Sequence, residues 1–157
     1  MYKKIYILFL LILTIASSSC GFKKLKDPSA NLFFINSVKT SGDMRIGYFL
    51  KNEIILSSSK QSLNKINIEI NSKKTNKVKT REVSGNAKKY ALTIESQITV
   101  SDSNYQKIFS KNFVSSVEYD VGKNASITRN KEKRSIASSK SLIAEDISKY
   151  LNIYFNN

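Results

Sequence analysis

From residue 31 onward, apolar and polar positions fall into a series of short periodic segments. Leu32, Phe33, Phe34 and Ile35 form an apolar run between polar neighbours, which predicts a buried strand over 31–38. Ser41-Gly42-Asp43 then offers capping chemistry, and Ile46, Phe49, Leu50 and Ile54 follow at helical spacing. A first helix is predicted over 43–56, weakened somewhat by Gly47. After a Ser57-Ser58-Ser59-Lys60 loop, Ile66, Ile68 and Ile70 alternate with Asn67, Glu69 and Asn71, the period of a half-buried strand. A longer alternation runs from Tyr90 to Val100, Ser101 to Asn104 supplies turn residues, and a return strand over 106–119 carries Phe109, Phe113, Val117 and Tyr119 on one face.

From about Ser126 the period becomes helical, with Ile136, Ile143, Ala144, Ile147, Tyr150, Leu151 and Tyr154 along one side. Each helix must bury an apolar stripe, and the sheet offers one apolar face. The expected fold is therefore α+β: two helices packed on one face of a four-stranded sheet, in the order strand-helix-strand-strand-strand-helix. A domain of this size buries about two-thirds of its unfolded surface, enough to stand without disulfides. No internal repeat and no second domain is evident within 31–157.

The residues before 31 follow a different logic. Lys3 and Lys4 precede an apolar run from Ile5 to Ala16 interrupted only by Thr14, and Ser17-Ser18-Ser19-Cys20 closes it. A basic start, an apolar stretch too short to span a bilayer and small residues before a cleavage point make a secretory signal. Cys20, the one cysteine of the chain, stands where the lipobox of bacterial lipoproteins carries its acylated cysteine, although Ser17 occupies the place usually held by Leu. The alternative is an ordinary cleaved signal with a chance cysteine. On the lipobox reading, 1–19 is a signal peptide, Cys20 carries N-acyl and S-diacylglycerol groups, 20–30 is a lipidated tether and 31–157 is the domain. Two acyl chains already anchor firmly where one is marginal. By the sorting pattern of enteric bacteria, Gly21 in place of Asp is compatible with the outer membrane, facing the periplasm.

Composition narrows the chemistry further. The 157 residues include no His and one Cys, which removes the commonest general base and metal ligand, and any internal disulfide. Ser57 and Lys60 stand at S-x-x-K spacing without companion motifs, and the adjacent acids Glu145 and Asp146 fall on the outer side of a helix. A binding protein is expected rather than an enzyme, with no cofactor and no metal. The formal charge is +14, but Lys, Ile and Asn together exceed a third of the chain, so part of that excess reflects biased composition.

The informative charge is local. Lys73, Lys74, Lys77, Lys79 and Arg81 fall within nine residues without an acid, between two predicted strands, and so are expected on a mobile hairpin tip. Arg129, Lys131, Lys133 and Arg134 form a second group placed before the last helix. The plain reading is a solvated Lys-rich surface; the functional one is a site for anionic groups. No nucleic-acid recognition motif is present, and outside the cytoplasm phosphorylated lipid or polyanionic glycan fits better.

Several short features in order resemble the family of the lipopolysaccharide-assembly lipoprotein LptE. They are Cys20-Gly21-Phe22 with Leu25, Gly85-x-x-x-x-Tyr90 opening a strand, Phe109-Ser110-Lys111-Asn112-Phe113, Tyr119-Asp120, and Ala144-Glu145-Asp146-Ile147 in the last helix. The resemblance implies the same two-helix, four-stranded sandwich. It also implies an outer-membrane lipoprotein that plugs the LptD β-barrel and binds lipopolysaccharide on its way to the cell surface. The family's lipopolysaccharide-binding basic residues then correspond to Arg81 with Lys79, and Arg129 with Lys131, pairing with lipid A or core phosphates. The alternative is a periplasm-facing lipoprotein that binds anionic lipid or glycan, or serves a different envelope assembly machine.

Overall fold

The computed structural model describes residues 33–60 and 62–156. The expected signal peptide, Cys20, the tether and the first two residues of the predicted first strand lie outside the described residues. The elements are β1 (Phe34–Gly42), α1 (Met44–Leu56), β2 (Lys65–Arg81), β3 (Ala87–Ser101), β4 (Lys107–Asp120) and α2 (Ala125–Asn156). They form one four-stranded sheet in the order β1-β2-β3-β4, with β1 and β2 parallel and the other neighbours antiparallel. The parallel pair requires a crossover, which α1 supplies. This is the strand-helix-strand-strand-strand-helix sandwich expected from the periodicity.

Gly42 and Asp43 make the first crossover possible. Gly42 has φ +76°, and a Cβ there would lie 2.1 Å from the Ser72 carbonyl oxygen, so only glycine fits. Asp43 then caps α1 by accepting from the amides of Arg45 (3.1 Å) and Ile46 (3.3 Å). Gly47 is buried against Thr40, where a Cβ would meet the threonine Cβ at 3.0 Å. A residue poor in helix propensity thus lets α1 approach β1 closely.

Ile46, Leu50 and Ile54 from α1, and Ile143, Ile147 and Leu151 from α2, pack on Ile66, Ile68, Ile70, Ile94, Ile98 and Val100 of the sheet. Ser72 and Ser96, opposite one another in the β2–β3 register, face into the same core. Their hydroxyls bond each other at 2.9 Å, so neither is left unsatisfied there. At about 1.5 Å per residue, the 32-residue α2 is about as long as the β3–β4 hairpin it covers.

Two strands differ from expectation. β1 runs on to Gly42 rather than stopping near Val38, because Lys39, Thr40 and Ser41 continue the ladder opposite Glu69, Ile70 and Asn71. A register shift between Ile35 and Ser37 leaves Asn36 without an opposite partner, so that both Ile35 and Val38 face the helices. The larger correction concerns the basic run. Lys73 to Arg81 is not a mobile tip: β2 continues through it, paired with β3 from Asn67 to Arg81, and the turn occupies only 82–86. Backbone pairing with a long partner strand overrides the low apolar content of this half.

Candidate functional site

In the β2 extension, alternation divides the cations between the faces of the sheet. Lys73 and Lys77 lie opposite Glu95 and Ala91 on the face away from the helices, and Lys74 lies opposite Ile94 on the helix side. Lys79 falls at a register shift between Val78 and Thr80. Its ammonium reaches Glu118 on β4, which also receives Lys89 at 3.6 Å, while Lys89 in turn approaches Asp120 at 3.8 Å. The hydrogen bond from Lys79 is the main reason the Glu118 carboxyl is held below the usual Glu range. Arg81 donates from Nη1 to the carbonyl of Gly85 at 2.8 Å and so closes its own turn, where Gly85 takes φ +85°.

Arg129 and Lys131 do not precede the last helix. α2 begins at Ala125, with the Asn124 side chain capping Ile127 N at 2.9 Å, so both cations sit in its second turn. The start agrees with the helical period that begins at about Ser126, and Asn124, four residues beyond the end of β4, supplies its cap; it is the placing of the basic group ahead of the helix that fails. Arg129 lines an open cavity of about 500 Å³ together with Tyr90, Gly122, Thr128 and Glu132. Behind it, Tyr90 stacks on Tyr119 with ring centroids 5.5 Å apart, and the Tyr119 hydroxyl accepts from Asn76 Nδ2 at 2.6 Å. Burial pushes the Tyr119 phenol above its usual range. Among the described residues, neither Arg129 nor Lys131 makes an ion pair.

The fold thus brings Lys79, Arg81, Arg129 and Lys131 to one end of the molecule but not to one surface. Lys79 meets Glu118 on the sheet's open face and Arg129 opens on the helix side, with β3 and β4 between them. Elsewhere, Ser57 closes α1: its hydroxyl donates to the Ile54 carbonyl at 2.7 Å and lies 3.3 Å from the Ser148 hydroxyl. Glu145 pairs with Lys149 at 2.8 Å on the exposed side of α2. Among the described residues, no group of His, Cys, Asp and Glu could hold a metal, and no helix is long and apolar enough to cross a membrane.

A further basic cleft escaped the sequence reading. Arg45 of α1, Lys74 of β2, and Lys133 and Lys140 of α2 line a cavity of about 250 Å³ with Asp43 and the apolar Ile46, Ile136 and Ala137. Arg45 belongs to no charge run, and the other members are scattered across the sequence. Lys74 and Lys133 are members of the two charge runs, and the spacing of Lys133, Ile136, Ala137 and Lys140 places those four on one helix face, but nothing in the sequence joins the two segments to each other or to Arg45.

No protein-family model matches the chain, and no curated protein matches its sequence. Solved structures do match. Uncharacterized lipoprotein B from Nitrosomonas europaea aligns with a TM-score of 0.68 at 14% identity, over 87% of this chain and 93% of that one. A minor lipoprotein from Acinetobacter baumannii aligns with a TM-score of 0.61 at 8% identity, over 79% and 92%. A neuraminyllactose-binding hemagglutinin homolog from Helicobacter pylori aligns at 0.50 and 9% identity, over 82% and 87%. At these identities the likeness establishes a shared fold. The two-helix, four-stranded sandwich described here is one that bacterial lipoproteins adopt.

Proposed function

We propose that this chain is a bacterial envelope lipoprotein, anchored through acylated Cys20 to the outer membrane and facing the periplasm, that plugs the LptD β-barrel and binds lipopolysaccharide during its assembly. The observation that carries this reading is the coincidence of a lipobox-like Ser19-Cys20-Gly21 with a fold shared with bacterial lipoproteins. The surface supports it. Both helices cover one face of the sheet, leaving the other to residues such as Thr93, Glu95, Gln97, Ser110, Asn112 and Ser116. Large barrels have polar interiors, so a plug should be polar where it meets the wall.

Within this reading, Arg129 and Lys131, which make no ion pair among the described residues, would take lipopolysaccharide phosphates directly. Lys79 and Arg81 would have to exchange Glu118 and the Gly85 carbonyl for phosphate oxygens. These internal engagements are also what favours the wider alternative, a lipoprotein that binds another anionic lipid or glycan or serves a different envelope machine. Pull-down of the tagged protein from detergent-solubilised outer membrane separates the two: LptD should co-purify, and its absence leaves only the alternative. Lipopolysaccharide binding that survives joint neutralisation of Lys79, Arg81, Arg129 and Lys131 would remove that site from the account. Cys20→Ala should abolish incorporation of labelled palmitate.

A further inference from the structure

We infer that the cleft between the start of α1 and the middle of α2 is a second anion site, and that it takes a phosphomonoester or pyrophosphate group. Three elements deliver its cations, Arg45, Lys74, Lys133 and Lys140, around a cavity of about 250 Å³. Against these four cations the wall carries a single acid, Asp43, which keeps its charge while its Oδ1 accepts from the amides of Arg45 and Ile46 to cap α1. The cleft therefore holds a clear cationic excess. None of Arg45, Lys74, Lys133 and Lys140 makes an ion pair among the described residues. The Lys140 ammonium lies over the Phe49 ring, 4.4 Å from its centroid, a weak contact that leaves its hydrogen-bond donors open to an anion.

Four cations drawn together around one carboxylate still repel one another, and a multivalent anion relieves that repulsion more fully than a monovalent one. A guanidinium offers a planar fork to two oxygens, and the lysines add mobile point charges, a donor set suited to a tetrahedral dianion. The floor of Ile46, Ile136 and Ala137 is apolar, leaving room for whatever bears the phosphate. This site is separate from the surface around Arg129 and does not depend on the barrel. It requires only that a phosphorylated compound, either a lipid headgroup or a free phosphate, meets the protein.

The test titrates the unacylated chain, residues 21–157, with inorganic pyrophosphate, and separately with phosphatidylethanolamine vesicles with and without phosphatidic acid, following backbone amide shifts. Saturable shifts are expected at Arg45, Lys74, Ile136 and Lys140. Lys74→Ala with Lys133→Ala should weaken binding about tenfold or more, whereas Lys73→Ala with Lys77→Ala, the same loss of charge on the open sheet face, should leave it within about twofold. Response to pyrophosphate alone assigns a free phosphate, and response to phosphatidic acid alone assigns a lipid headgroup. Equal weakening by both double variants, or no saturable shift at the cleft with either probe, overturns the proposal. Arg129→Ala with Lys131→Ala should leave these shifts intact, which keeps failure here distinct from failure of the lipopolysaccharide site.

Discussion

Individual backbone and side-chain positions set conditions that can be checked one at a time. Gly42 and Gly85 both adopt positive φ, but Gly42 sits against the Ser72 carbonyl whereas nothing lies near Gly85. Gly85→Ala should cost only the left-handed penalty, about 1–2 kcal/mol, and Gly42→Ala distinctly more, compared by urea denaturation. Asp43→Ala, which removes the cap of α1, should cost about 0.5–2 kcal/mol by the same measurement. Glu118 carries a pH signature. Its carboxyl is lowered chiefly by the hydrogen bond from Lys79, so its contribution is present above the ordinary Glu range and is lost as pH falls through its lowered value. Tm measured against pH should show Glu118→Gln below the parent at neutral pH, with the gap closing in acid.

At the scale of elements, β2 is where sequence and structure part. The alternation of Ile66, Ile68 and Ile70 announced its first half, but from Lys73 the inward positions are Lys74, Asn76 and Val78, of which only the last is apolar, too little to continue the signal. What holds this half is pairing to β3, a non-local interaction that periodicity within β2 cannot reveal. Hydrogen exchange distinguishes the two descriptions: because β1 ends opposite Ser72, alternate amides between Lys73 and Lys77, those that bond β3, should be protected, whereas in a mobile tip all of them would exchange rapidly. α2 was legible because its stripe is long and regular, and its start, near Ser126, was legible to within a residue; what was misplaced is the basic group at 129–134, which lies inside the helix rather than before it. Ile147→Ala, in the middle of that stripe, should cost about 2–5 kcal/mol, whereas Ile153→Ala on its exposed side should change stability by no more than about 0.5 kcal/mol.

For the molecule as a whole, the layer arrangement followed from one apolar sheet face and two amphipathic helices, and it was legible before any coordinates. The binding surfaces were legible only as charge runs. Strand alternation splits the first run between two faces, and chain crossing assembles the Arg45, Lys74, Lys133 and Lys140 cleft from three distant segments. The result is a molecule with an apolar interior and a largely polar sheet face that the described residues leave open, with cations at one end and in one cleft. That polar face is the surface through which the central claim, insertion into a β-barrel, is most directly tested. A photo-crosslinking residue placed at Gln97 or Ser116, in cells carrying the acylated chain, should yield a covalent adduct with LptD. Adducts that form only with other proteins or with lipid, from both positions, would contradict the account.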